Sequence, residues 1–538
     1  MKRWQHVNAL YQIYPRSFCD TSGDGVGDLK GITAKLDYLK GGPGALGVDA
    51  IWISPFYPSP MADFGYDITD YYGVDPLFGT LDDFRTLLSD AHQRDIKVMI
   101  DFVPNHTSDQ HPWFVDARSA KNSAKREYYV WHDGKPDGSV PNNWLSAFGG
   151  SAWQWDETTQ QYYLHSFLKE QPDLNWDNPE VRLAMTDVLQ FWLKMGVDGF
   201  RVDTARFISK DPTFRDDDAN MAFGNTTKEQ DPYHSLLHNR SQYGPQLFDY
   251  LHQLTQVVNE YDDRIMIFED YPDESQSIAA QYRAFYDIHP GVGMPFNFQG
   301  VSCAWGAEAF GSFIDDFQNL LHADERPLYC FGNHDQPRIV SRYGVEQARL
   351  LALLQLTLPG LPVMYNGEEL GMKDGEITLQ DAQDPAGEYT PGIGMGRDPQ
   401  RTPIQWTDEA YAGFSDAQPW LPVSADYAAL NVKRESADRD SFLNLYRELL
   451  ALRRDDFTLR EGDFQLSSSS AGQVLSYRRQ SSVGTYIVAL NFSADIKQVD
   501  SGAAGEIVTS THPASSPYFS DTQLTLKPYE GVLIRVVS

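Results

Sequence analysis

Three carboxylates, Asp203, Glu269 and Asp335, close short apolar runs, and His106, His334 and Arg201 stand in or just after such runs. The endings read Asp101-Phe-Val-Pro-Asn105-His106, Arg201-Val-Asp203-Thr204, Phe268-Glu269-Asp270 and Asn333-His334-Asp335. Acids and imidazoles without a cysteine suit acetal chemistry. One carboxylate attacks the anomeric carbon and a protonated carboxyl serves the leaving oxygen. Metal-assisted hydrolysis competes for the same residue types, because Asp, Glu and His also bind cations. An aldolase or isomerase would need a strand-end lysine or a phosphate loop, and the runs offer neither.

The pattern is densest between Gly196 and Arg206. An amphipathic run (Val188, Leu189, Phe191, Trp192, Met195) predicts a helix that stops at Gly196, as helices stop at a C-terminal glycine. The strand that follows carries Arg201 and Asp203 two positions apart, hence on one face. A strand covered on both sides cannot hydrate such a pair, so the two neutralise each other or do chemistry. The nearby guanidinium is expected to keep Asp203 ionised.

Positioning these groups requires strand ends that converge. Apolar runs at Ala9–Ser17, Val48–Ser54, Ile96–Phe102, 199–203, Arg264–Glu269, Gly293–Phe298, Pro327–Gly332 and Leu361–Asn366 predict eight strands. Helical patterns fall between them, at Ile32–Leu39, Leu81–Arg94, 180–195 and 245–260. Alternating βα units imply a parallel sheet, and eight of them imply an α/β chain built on a (β/α)8 TIM barrel with its site at the C-terminal strand ends. Two long irregular stretches, 104–176 and 371–432, follow the third and eighth strands, where long loops are usually functional. After the helix Ser441–Arg454, short alternating runs over 457–538 predict a small antiparallel β domain.

Composition narrows the partners. Of 538 residues, 44 are Lys or Arg and 75 Asp or Glu, and the net charge of −31 repels nucleic acid and anionic membranes. No stretch approaches the ~20 apolar residues of a membrane span. The three cysteines form no disulfide framework or zinc pattern. The basic start Met1-Lys-Arg is not followed by an apolar signal segment, so the default expectation is a cytoplasmic enzyme.

In order and spacing, Asp101–His106, Gly199–Asp203, Glu269 and Asn333–Asp335 resemble the four motif regions of the α-amylase superfamily. Tyr14-Pro-Arg-Ser-Phe, Gly65-Tyr-Asp-Ile-Thr-Asp-Tyr, Gln171-Pro-Asp-Leu-Asn-Trp and Arg401-Thr-Pro-Ile-Gln-Trp are similar to its α-glucosidase and oligo-1,6-glucosidase branch. The resemblance spans essentially the whole chain. It implies a catalytic barrel over 1–103 and 177–456, with a subdomain at about 371–432 on the last barrel loop. It also implies an inserted B domain over 104–176 and a C-terminal antiparallel β-sandwich over 457–538.

Residue by residue, the resemblance implies Asp203 as nucleophile, Glu269 as acid/base and Asp335 as the stabiliser that grips sugar hydroxyls. His106 and His334 would donate to hydroxyls of the bound glucose and Tyr66 would stack on its face. An Asp63–Arg401 pair would close the pocket beyond one glucose, so that only chain ends enter. Phe148 and Phe167 would line the sugar sites, and Thr204 beside the nucleophile would favour α-1,4 over α-1,6 linkages.

The loop Asp20-Thr-Ser-Gly-Asp24-Gly-Val-Gly-Asp28 sets oxygen ligands among glycines, which suits Ca2+ or Mg2+. The resemblance implies a structural cation on Asp20, Ser22, Asp24, the Val26 carbonyl and Asp28, with no organic cofactor. Ser22 replaces the commoner Asn, and Lys30 adds a positive charge nearby. The expected activity is a retaining exo-α-glucosidase on small oligosaccharides or glucosides, with transglucosylation when an acceptor outcompetes water. A related glucosyl transferase, or a trehalose or sucrose isomerase, is the alternative. The expected state is a monomer or homodimer.

Overall fold

The computed structural model describes residues 3–224, 231–272, 277–385, 387, 395–467, 472–512, 518–519 and 522–537. At its centre run eight parallel strands. They are β1 (Leu10–Ile13), β2 (Ala50–Ile53), β3 (Lys97–Phe102), β4 (Gly199–Val202), β5 (Ile265–Phe268), β6 (Gly293–Pro295), β7 (Leu328–Cys330) and β8 (Leu361–Tyr365). Pairing follows the order β7-β8-β1-β2-β3-β4-β5-β6. A parallel bridge from Asn297 to Tyr329 joins the two end strands and closes the barrel.

Period-2 alternation divides each strand between two cores. Leu10, Ala50, Trp52, Met99, Ile265, Ile267, Leu328, Cys330 and Val363 pack together as the barrel interior. Tyr11, Ile51, Ile53, Val98, Ile100, Phe200, Val202, Met266 and Phe268 belong to the larger core under the surrounding helices. The inward series continues up the strands into Gln12, Asp101 and Arg201, all buried. Apolar layers thus fill the barrel below, and its upper layer is polar.

The helix before β4 runs from Pro179 to Met195. Asn178 caps it by accepting from the Glu180 amide, proline opens the first turn, and Gly196 ends it at φ 111°. A side chain would be strained in that left-handed conformation. This stop allows the chain to turn at once into β4, which carries Arg201.

Between β3 and β4 a small unit holds the helix Pro112–Ala117 and an antiparallel sheet of Trp131–His132, Gln161–Leu164 and Trp153–Asp156. Trp144, Ala152, Trp153 and Leu164 form its own core. After the helix Phe442–Asp455 the chain builds a six-stranded antiparallel sheet and a two-stranded one. Val474, Ile487, Ala489, Val499, Leu524, Leu526, Val532 and Ile534 are packed together as their core.

Candidate active site

Strand register assembles the site before any loop contributes. In the β3–β4 pair Asp101 lies opposite Arg201, and in the β4–β5 pair Arg201 lies opposite Ile267. Asp203 and Glu269 extend the last two strands by one step, their amides donating to the carbonyls of Phe102 and Val202 at 2.8 and 2.9 Å.

One guanidinium then serves three carboxylates. Arg201 Nη1 donates to Asp203 Oδ1 at 2.6 Å and also to Asp101, and Nη2 meets Glu269 Oε1 at 2.8 Å. Trp52 Nε1 holds the other Asp101 oxygen at 2.7 Å. Arg201 favours the ionised form of Asp203, as expected, but it is opposed. Burial pushes the Asp203 carboxyl well above its usual range despite Arg201, and repulsion from Glu269 and Asp101 adds to the rise. Burial likewise brings Asp101 to about 6 against the pull of Arg201. One positive charge among three acids in a dry site favours keeping a proton in the cluster.

Thr204 follows with φ 44° and ψ 44°, a left-handed conformation that β-branched residues rarely adopt. The twist aims its amide at Glu269 Oε2 (2.8 Å) and its hydroxyl at Asp203 Oδ2 (3.1 Å). Each of these oxygens keeps a second lone-pair position for a proton or substrate.

Asp335 has a different environment. Burial raises its carboxyl, but the guanidinium charges of Arg401, Arg397 and Arg201 hold it far below the usual carboxylate range. Arg401 Nη2 donates to it at 2.8 Å while Nε donates to the His334 carbonyl at 2.9 Å. The Gln12 amide donates to His334 Nδ1 at 2.8 Å, leaving the ring proton on Nε2, which lies 2.8 Å from the Tyr66 hydroxyl. Tyr66 and His334 stack with an interplanar angle of 11°. Burial lowers His334 well below its ordinary value and His106 to about 4, so both imidazoles are neutral.

The predicted Asp63–Arg401 pair is not formed. Asp63 Oδ1 pairs with Arg397 Nη2 at 2.7 Å, and Gln171 donates to its other oxygen at 3.0 Å. Asp384 accepts from Arg397 Nε and Nη2 at 2.8 Å each, Nη1 reaches Asp335 Oδ1 at 3.4 Å, and the guanidinium lies 4.9 Å from the Phe148 ring. Arg401 belongs to Asp335 instead. The two arginines lie in one irregular loop where no periodicity fixes which way each side chain points.

A cavity of about 640 Å3 gathers Asp203, Glu269, Asp335, Asp63, Tyr66, His106, Phe148, Phe167 and Thr204 on its walls. Arg201, His334 and Arg401 are buried and bonded to those walls. Residues that the sequence reading missed also line it, among them Arg397, Arg206, Phe207, Tyr233, His234, Gln336 and Tyr271. Arg206 and Phe207 directly follow the Asp203 motif and were open to discovery there. Tyr233 and His234 come from an irregular segment with no such signal.

Residues 12–462 match the family model of the α-amylase catalytic domain. The chain belongs to the α-amylase family. It is 42% identical over 489 residues to a probable α-glucosidase of Rhizobium meliloti, covering 88% of this chain and 87% of that one. It is 36% identical to an oligo-1,6-glucosidase of Bacillus cereus over 99% of this chain and 100% of the other. Among solved structures, an α-glucosyl transfer enzyme superposes with a TM-score of 0.90 at 38% identity, covering 100% of both chains. The trehalulose synthase of Pseudomonas mesoacidophila superposes at 0.87 and 36% identity, covering 99% of both.

In this α-amylase-family chain the Asp20–Asp28 loop is held by its own carboxylates. Asp20 accepts from the amides of Ser22, Gly23 and Gly25 at 2.8 Å each. Asp28 accepts from Thr21 at 2.7 Å and Gly31 at 2.6 Å, and Asp24 accepts from the Val26 amide at 2.9 Å. Among the described residues no three acidic, His or Cys side chains are grouped to hold an ion. The oxygen-only donor set suits a hard cation by type, yet hydrogen bonds already occupy both oxygens of Asp20 and of Asp28, so a cation there would replace some of them. Lys30 faces Asp83 at 3.6 Å instead of the loop. No helix among the described residues is long and apolar enough to cross a membrane.

Proposed function

We propose that this chain is a retaining exo-acting α-glucosidase that releases α-glucose from the non-reducing end of short α-1,4-linked glucosides. The observation that carries the reading is a cavity bounded at one end by Asp63 and Arg397, with Asp203 and Glu269 bridged by one guanidinium. A bridged pair suits the ~5–5.5 Å spacing of retaining enzymes better than the ~6.5–9.5 Å gap that admits a water. Asp203 attacks C1 of the glucose and forms a β-glucosyl ester while Glu269 gives its proton to the departing oxygen. Glu269 then takes a proton from water, which attacks C1 and frees α-glucose. Asp335, anionic and gripped by Arg401, accepts hydrogen bonds from the sugar hydroxyls; neutral His106 and His334 donate to them.

Thr204 supports α-1,4 preference by its size beside the nucleophile, a difference worth about 1–3 kcal/mol. The proposal includes a structural Ca2+ or Mg2+ on Asp20, Ser22, Asp24, the Val26 carbonyl and Asp28, outside the reaction itself. A second reading, glucosyl transfer or sucrose isomerisation, draws on the neighbouring solved structures, and the ester at Asp203 would be common to both. The test is product analysis on maltose, isomaltose, sucrose and trehalose. Glucose from maltose, with a higher kcat/KM than on isomaltose, is the expected result. Failure to release glucose from maltose would overturn the proposal.

A further inference from the structure

One buried amide on the cavity wall has no partner in the protein. Gln400 lines the cavity and is only 3% exposed. Among the described residues its side chain makes no hydrogen bond, yet neither polar atom of the amide is sealed in the interior. Its backbone is fixed, in the short turn Pro399–Arg401, where the Tyr365 hydroxyl donates to the Gln400 carbonyl at 3.1 Å.

The other buried amides around the site are engaged. Gln12 donates to His334 at 2.8 Å, and Gln171 accepts from the Leu168 amide at 3.1 Å and donates to Asp63 at 3.0 Å. Gln336 and His234 line the cavity without a side-chain hydrogen bond among the described residues, but the first is half-buried and the second exposed, so solvent serves them. A primary amide buried as deeply as Gln400 costs free energy until something pairs with it. On this wall the partner is whatever fills the cavity.

Its neighbours indicate which part of a sugar it meets. Gln400 stands in the chain between Arg397, which pairs with Asp63, and Arg401, which holds Asp335. Arg397 Nη1 also lies 3.4 Å from Asp335 Oδ1, so these groups share one region of the cavity. With C1 of the glucose at Asp203, the hydroxyls on the far side of the ring are those of C3 and C4. A sugar hydroxyl both donates and accepts, and a primary amide offers two donors and an acceptor.

We infer that Gln400 is a specificity-determining residue whose side-chain amide hydrogen-bonds to the 3- or 4-hydroxyl of the bound glucose, beside the Asp63–Arg397 pair. The inference rests on the glucosidase reading and adds a recognition group to it. An end sugar altered at that hydroxyl would leave the amide buried and unpaired.

The test measures kcat/KM for the unaltered enzyme and for Gln400→Met on p-nitrophenyl α-glucoside and on its 2-, 3- and 4-deoxy analogues. Methionine keeps the length of the side chain and breaks no bond inside the protein. On the parent glucoside and the 2-deoxy analogue the variant should be about tenfold poorer, the scale of one hydrogen bond in a dry site. On either the 3-deoxy or the 4-deoxy analogue the two enzymes should agree within about twofold, because the hydroxyl that the amide reads is already gone. A badly folded fraction lowers all four values by one factor and leaves this pattern intact. No loss on the parent, or the same loss on all four substrates, would overturn the inference while glucose release from maltose kept the glucosidase reading. If the unaltered enzyme left both maltose and p-nitrophenyl α-glucoside intact, both would fall.

Discussion

Arg397 and Arg401 divide the work on bound sugar. Arg397 reaches Asp63 at 2.7 Å and touches Asp335 only at 3.4 Å, which suits the closing role proposed for it, whereas Arg401 reaches Asp335 at 2.8 Å and orients the group proposed to grip the sugar. Truncating Arg397 leaves Asp63 buried without its main partner, which costs about 2–5 kcal/mol where such pairs have been broken. Arg397→Ala should raise KM for maltose at least tenfold (about 1.4 kcal/mol) with a smaller fall in kcat. It should also admit maltooligosaccharides blocked at the non-reducing end. Arg401→Ala should instead lower kcat more than it raises KM. Steady-state kinetics on maltose checks both, and the opposite ordering would restore Arg401 as the closing residue. Asp203 and Glu269 were legible in the sequence because each directly follows an apolar strand whose period fixes its direction, and Asp335 because its motif lies just beyond the strand Leu328–Cys330. The closing arginine was not, because Gly396–Arg401 has no such period.

At the scale of elements, strands were read within a few residues because their apolar runs are bounded by polar endings. Helices were read unevenly. The run Ile32–Leu39 is two short helices, Leu29–Ala34 and Leu36–Leu39, joined at Lys35. The helix Val345–Thr357 escaped notice, since Leu350 to Thr357 are buried on every side and leave no polar stripe to count. The Asp20–Asp28 loop is an element whose stability is open to measurement. A cation present at about 100 times its Kd adds about 2.7 kcal/mol to a folded state that binds it. After EDTA treatment, adding millimolar Ca2+ or Mg2+ should therefore raise Tm. A Tm that responds to neither ion would show that the carboxylate–amide bonds hold the loop by themselves.

For the molecule as a whole, a buried arginine fastens the C-terminal sheet to the barrel. Arg479, on the strand Val474–Gln480, donates to the carbonyls of Thr357 (2.7 Å), Leu459 (2.9 Å) and Gly462 (2.8 Å). Arg453, on the helix Phe442–Asp455 that precedes the sheet, ties that helix to the barrel through the carbonyls of Leu358 (2.6 Å) and Asn8 (3.2 Å). A buried acceptor left unpaired costs about 1–3 kcal/mol. Arg479→Ala should then lower Tm by several degrees in calorimetry, and barrel and sheet should still melt in one transition. An unchanged Tm would mean that the apolar contact alone joins them. No periodicity in the sequence announces such ties, because the partners are carbonyls, which every residue carries. An end closed by Asp63 and Arg397, as proposed above, would also govern traffic. A blind passage has one door, so freed glucose cannot leave ahead of the chain it came from. The shortened chain must depart first, no substrate is clipped twice in one visit, and glucose waiting at the bottom competes with every newcomer.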